Sequence, residues 1–224
     1  MIDGDDPLVL LGRRRGLLEG ATRYARHVTA QVTRRQLALP TPCADWDLLQ
    51  LLWHVNESVA ALREAIEQFC VFPEPVSPDP AGVHDVLRAF DWETSLLLQS
   101  WDEAAYGADT TVAVGRYPVH GMVLANTGAL EIAVHGWDVA SACDLPEPIP
   151  AGLAADLFAV ARKVVPLPRY PQFGPEVACP GDACASDRLV AFLGRRPASW
   201  CPKRGTGGGS VMTGACEDLF SETF

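Results

Sequence analysis

The 224-residue chain is 48% hydrophobic and 21% charged, with a formal net charge of −10. A chain of this length buries roughly 70% of its unfolded surface without help from metals or disulfides, so one compact domain is expected. The excess of Asp and Glu over Lys and Arg repels phosphate backbones and anionic lipid alike, which disfavours nucleic-acid and membrane-surface binding.

The 18 prolines leave Pro-free windows at 8–39, 43–72, 81–117, 119–145 and 151–165. An interior proline costs a helix about 3 kcal/mol, so long helices are expected inside these windows. Arg13-Arg14-Arg15 reads as a solvated helix face, and Gly20 to Leu37 predicts a first, Arg-rich helix with a weak apolar pattern. In the next window Leu48, Leu52, Val55, Val59, Leu62, Ile66 and Phe69 alternate spacings of four and three, which makes a continuous apolar seam on a second helix. Asp45 or Asp47 can cap its start, and PEPVSPDP (73–80) ends it with a rigid connection.

Gly82 to Glu103 repeats the helical pattern through Val83, Val86, Leu87, Phe90, Leu96, Leu97 and Trp101. Thr110 to Val119 is β-branched and Gly-interrupted, and reads as a loop with room for a short hairpin. A fourth helix is expected at about 119–142 and a fifth at 151–165. No segment sustains period-two alternation. The fold class is therefore all-α: a four-helix bundle with an extra short helix and Pro-rich loops. The bundle is expected within 1–200, followed by a Gly-rich C-terminal tail at 201–224 whose GTGGGS run lacks the strand and lysine of a phosphate loop.

Seven cysteines, without a C-x-x-C pair, fit a reduced cytoplasmic protein. The first apolar stretch, Leu8 to Leu11, is too short for a membrane span or a signal peptide and follows acidic residues.

The fourth helix holds the unusual chemistry. VHGMVLANTGALEIAVHGWDVASA has two carboxylates and no Lys or Arg, and Glu131, His135 and Asp138 fall at i, i+4 and i+7, within about 60° of one another. His120 lies on the same side, while Met122, Ala129, Ala133 and Ala140 form the opposite side. A solvent face with one Glu–His pair is one reading. The other is a metal site, because a carboxylate and an imidazole one turn apart converge at ligand spacing. A third ligand must then come from another helix. His54 is the candidate, one step off the second helix's seam beside Ser58, Ala61 and Ala65. Three protein ligands leave a coordination position open for water or substrate.

Other constellations carry less. No H-E-x-x-H, E-x-x-H or G-x-S-x-G occurs, so zincin, di-iron and hydrolase-elbow signatures are missing. Cys179 and Cys184 sit in a Pro/Gly loop without a neighbouring histidine, and His27 and His84 are expected on exposed turns.

TPCADWDLLQLLWHV (41–55), ALEIAVHGWDVASA (129–142) and DRLVAFLGRRPASW (187–200) together resemble the actinobacterial branch of the DinB-like superfamily related to mycothiol-dependent maleylpyruvate isomerase. That resemblance implies a four-helix bundle and a divalent metal, zinc or nickel, held by His54, Glu131 and His135. Asp138 matches the family's following acidic position, where it is expected to orient a ligand without itself binding. The resemblance also implies mycothiol as a thiol cofactor that attacks a small electrophilic substrate, in isomerisation or S-transfer. The alternatives are a tailoring enzyme of specialised metabolism that uses no thiol and a non-catalytic metal-binding protein. The expected partner is a small-molecule substrate, with neither nucleic acid nor membrane; a homodimer stays open.

Overall fold

The computed structural model describes residues 7–43, 46–71, 85–103, 110–165, 169 and 173–197, with side chains from residue 16 onward. Helix α1 (Pro7–Thr29) begins on a proline, tolerated at a first helical position because that N–H has no intrahelical partner. It ends before the predicted Leu37. The N–H groups of Gln31 and Val32 bond three residues back to Val28 and Thr29, tightening the last turn, and a separate 3-10 turn forms at Arg34–Gln36. The Gln36 side-chain carbonyl accepts from the Thr33 N–H (2.9 Å) and hydroxyl (2.7 Å), which starts this new turn.

Helix α2 (Leu48–Gln68) opens with a reciprocal cap. Asp47 accepts from the Gln50 N–H at 2.9 Å, and Gln50 accepts from the Asp47 N–H at 3.0 Å. The seam from Leu48 to Ile66 is buried, but Phe69 leaves it: Phe69 is the C-cap, with φ 56°, and is 50% exposed. Strand β1 (Cys70–Val71) follows directly. Helix α3 (Val86–Glu103) buries Val86, Phe90, Leu97 and Trp101. The connection at 73–80 and the tail at 201–224 lie outside the described residues.

Strands β2 (Thr111–Val114) and β3 (Tyr117–His120) form a hairpin where the pattern reads mainly as loop, and β1 joins β2 in parallel. Val112 and Val114 face inward. Pro118 is accommodated because β3 is the edge strand, where a missing N–H breaks no ladder. The hairpin also moves the next helix start: α4 (Gly121–Ala142) begins after His120, not at 119.

Helices α1, α4, α2 and α3 pack in a closed ring, each against its two neighbours, so the fold is an all-α four-helix bundle with a small sheet at one end. Two close approaches seat α4. A Cβ on Gly128 would lie 2.5 Å from Leu62 Cδ2, and one on Gly136 would lie 3.2 Å from the Ala25 Cα. Helix α5 (Ala151–Val164) matches its expectation and packs on α4. Helix α6 (Ala185–Phe192), which no periodicity marked, packs on α5. Among the described residues no helix is long and apolar enough to cross a membrane.

Candidate metal centre

The Asp47 cap sets the rotational phase of α2, and His54, next to the seam residue Val55, turns its ring toward α4. Helix α4 is buried over nearly its whole length, so its stripe is interior and not a solvent face: Glu131 is 4% exposed, His135 3% and Asp138 0%. Carboxylates in such surroundings persist as anions only when paired.

Each has partners. Glu131 Oε1 lies 2.8 Å from His54 Nε2 and 2.9 Å from His135 Nε2. The ligand atoms of these three residues all fall within 4.8 Å of one another. The two imidazole rings stand nearly perpendicular, at 86°, and the Trp46 ring lies 4.6 Å from that of His54, restricting its rotation. On the far side of His135, Nδ1 lies 3.0 Å from Asp138 Oδ2. Arg195 grips Asp138 with two nitrogens, Nη2 to Oδ2 at 2.9 Å and Nε to Oδ1 at 3.3 Å.

Burial by itself pushes both carboxyls up, but their neighbours outweigh it. His135 and His54 hold Glu131 well below the usual carboxylate range, and Arg195 with His135 holds Asp138 at about 2. Both are therefore anions, and Arg195 offsets one of the two charges.

An ionised Asp138 only accepts, so His135 donates to it from Nδ1. The remaining His135 nitrogen, Nε2, faces an anionic oxygen at 2.9 Å. Two lone pairs at that distance repel, so a positive species belongs between them. Either a second proton on His135 or a metal ion fills this role. Two nitrogens and one carboxylate oxygen are also the donor set of an open divalent-metal site, and the uncompensated negative charge matches it.

A neighbouring trio, Cys43, His135 and Asp138, also brings ligand atoms within 4.8 Å. The Cys43 thiol donates to Asp138 Oδ2 at 3.4 Å, and Arg195 Nη2 lies 3.7 Å from Cys43 Sγ. A fixed guanidinium already fills this side, which makes the trio a hydrogen-bond cluster around a cation and a poor place for a second metal.

His54, Glu131 and His135 thus converge, with Asp138 behind His135. His120 does not join them: it is exposed and caps α4, accepting from the Met122 N–H at 3.2 Å. His27 is exposed and lies 3.2 Å from Glu147, Cys184 caps α6, and His84 is outside the described residues. Cys43, Trp46 and Arg195 went unassigned in sequence. Their only signal was membership of the quoted blocks, because no local spacing links them to α4.

Residues 18–140 match the model of the mycothiol maleylpyruvate isomerase N-terminal domain. Two uncharacterized proteins, from two strains of Mycobacterium tuberculosis, are each 30% identical over 172 residues, covering 74% of this chain and 88% of their own length. No solved structure matches the chain. On this match, together with the helical bundle, the chain belongs to the DinB-like family of the mycothiol maleylpyruvate isomerase N-terminal domain.

Proposed function

We propose that the protein is a metal-dependent enzyme of the thiol-transferase or isomerase type, with His54, Glu131 and His135 holding zinc or nickel and a mycothiol-class thiol as cosubstrate. One observation carries this reading. Both Nε2 atoms point at a single anionic oxygen while the other His135 nitrogen is engaged by Asp138, so two nitrogens and a carboxylate oxygen, the donor set of an open divalent-metal site, converge on one point. The family match supports the choice of thiol.

When bound there, a divalent cation lowers the pKa of a thiol or water that reaches its open side. The chain's own residues do the rest. Asp138 fixes the His135 tautomer and Trp46 restrains the His54 ring, so both nitrogens are aimed before any ligand arrives. Two neutral imidazoles and one carboxylate offset only one of two metal charges, which favours an anionic partner such as a thiolate.

The test is elemental analysis of protein purified without chelator, followed by assay of mycothiol against a small electrophile. About one zinc or nickel per chain with thiol-dependent turnover is the expected result. Metal uptake without thiol turnover supports a tailoring reaction or a metal-binding role instead. A wild-type protein that takes up no metal overturns the reading.

A further inference from the structure

Arg195 lies beyond the residues 18–140 that match the family domain, yet it reaches the centre of the bundle. A helix ending brings it there. At the end of α6, the Gly194 N–H bonds to the Ala191 carbonyl (3.0 Å) and the Arg195 N–H to the Val190 carbonyl (2.9 Å), a Schellman closure. This closure needs a left-handed residue, and Gly194 supplies it with φ +88°. Gly194 also packs so closely on the Gly174 backbone that an added Cβ would lie 3.0 Å from its Cα. Arg169 holds the same corner by bonding to the Phe192 and Gly174 carbonyls and stacking over the Phe192 ring.

The turn projects the Arg195 side chain, 12% exposed, onto a fully buried Asp138. Its Nη1 bonds to the Leu193 carbonyl at 3.2 Å, so the guanidinium is fixed from its own turn as well as by the carboxylate. Asp138 Oδ2 is shared between Arg195 (2.9 Å) and His135 Nδ1 (3.0 Å). A planar fork fixes the carboxylate plane, which a single ammonium does not. The carboxylate plane in turn aims the His135 ring at Glu131 and His54.

We propose that Arg195 is a positioning residue of the metal centre, through which α6, outside the matched family domain, sets the orientation of the ligand His135 by way of Asp138. The inference rests on the metal reading above. Its test reads zinc affinity by chelator competition and the visible spectrum of the cobalt(II)-substituted protein, with metal-free thermal unfolding as the control for folding. Arg195→Ala is expected to weaken zinc binding roughly ten- to a hundredfold and to shift the cobalt bands. Arg195→Lys, which keeps the charge without the fork, is expected to fall between wild type and Arg195→Ala, and it carries the test should the alanine variant fail to fold. Since Arg195 acts through Asp138, Asp138→Asn combined with either substitution is expected to bind zinc no more weakly than Asp138→Asn alone. Wild-type affinity and spectrum in the Arg195 variants, or losses that add to that of Asp138→Asn, overturn the inference while leaving the metal reading intact. A wild-type protein without zinc affinity removes both.

Discussion

His54 Nε2 lies 2.8 Å from Glu131 Oε1, joining α2 to α4 through side chains 77 residues apart in sequence. Because His135 Nε2 meets the same oxygen, Glu131 is the shared acceptor of the centre. Zinc at a hundred times its dissociation constant stabilises the folded state by about 2.7 kcal/mol. For a chain of this size that is a rise of about 5–10 °C in Tm, reversed by chelator. Glu131→Gln keeps the shape but removes the charge, so it should abolish most of the zinc-dependent rise. Thermal unfolding with zinc and with chelator checks this, and an undiminished rise in the variant removes Glu131 from the ligand set.

Acid should act on the metal-free protein through Asp138. Its carboxyl, ordinarily at 3.8, is held at about 2 by Arg195 and His135 against the opposing effect of burial. A carboxyl depressed on folding contributes stability that is present above its unfolded value and lost as pH falls through its folded one. The contribution is about 2 kcal/mol. Denaturant unfolding at a series of pH values should therefore show steady stability down to about pH 4 and a decline between about pH 4 and 2. Glu131, also depressed, acts in the same direction. Asp138→Asn should flatten the decline only in part, and a curve identical to wild type would show that Asp138 is not its source.

The seat of α4 against α1 gives a prediction about packing. An added Cβ at Gly136 meets the Ala25 Cα at 3.2 Å, its Cβ at 3.2 Å and the Tyr24 ring at 3.1 Å. Helix backbone cannot rotate aside as a side-chain end can. Gly136→Val is expected to destabilise by about 2 kcal/mol despite the better helix propensity of valine over glycine. That corresponds to a drop of roughly 4–8 °C in Tm. Since Gly136 adjoins His135, zinc affinity should fall as well, and a variant as stable as wild type would show that α1 yields at this contact.

Sequence patterning made the bundle legible where burial is local and periodic. The seam of α2 alternates fours and threes because one face is buried from Leu48 to Ile66, and α4 stood out because a helix without Lys or Arg has no solvated face to maintain. The convergence of His54, Glu131 and His135 followed from one-turn spacing on α4 plus a single histidine off the α2 seam. What stayed hidden depends on long-range contacts. Arg195 meets Asp138 across 57 residues and Cys43 meets it across 95, and such pairs leave no periodic trace. The hairpin showed only as room for a short one within a loop, because its strands are four residues long, with β3 mostly exposed and interrupted by Pro118. Helix α6 is eight residues long, too short for a seam to register.

Cys43 separates one metal from two. Its thiol is 2% exposed and lies 3.4 Å from Asp138 Oδ2 and 3.9 Å from His135 Nδ1, so distance alone permits a second ligand set. Electrostatics argues against it. The Arg195 guanidinium already occupies both Asp138 oxygens and approaches the sulfur, and a dication there would face an arginine that stays protonated. Cys43→Ala removes one donor to Asp138 and a small buried volume, expected to cost about 1–2 kcal/mol. Metal stoichiometry should remain about one per chain, because the loss falls behind His135 and leaves its Nε2 aimed at Glu131. A fall from two metals to one on this substitution would place a second ion beside Cys43 and require Arg195 to move away from Asp138.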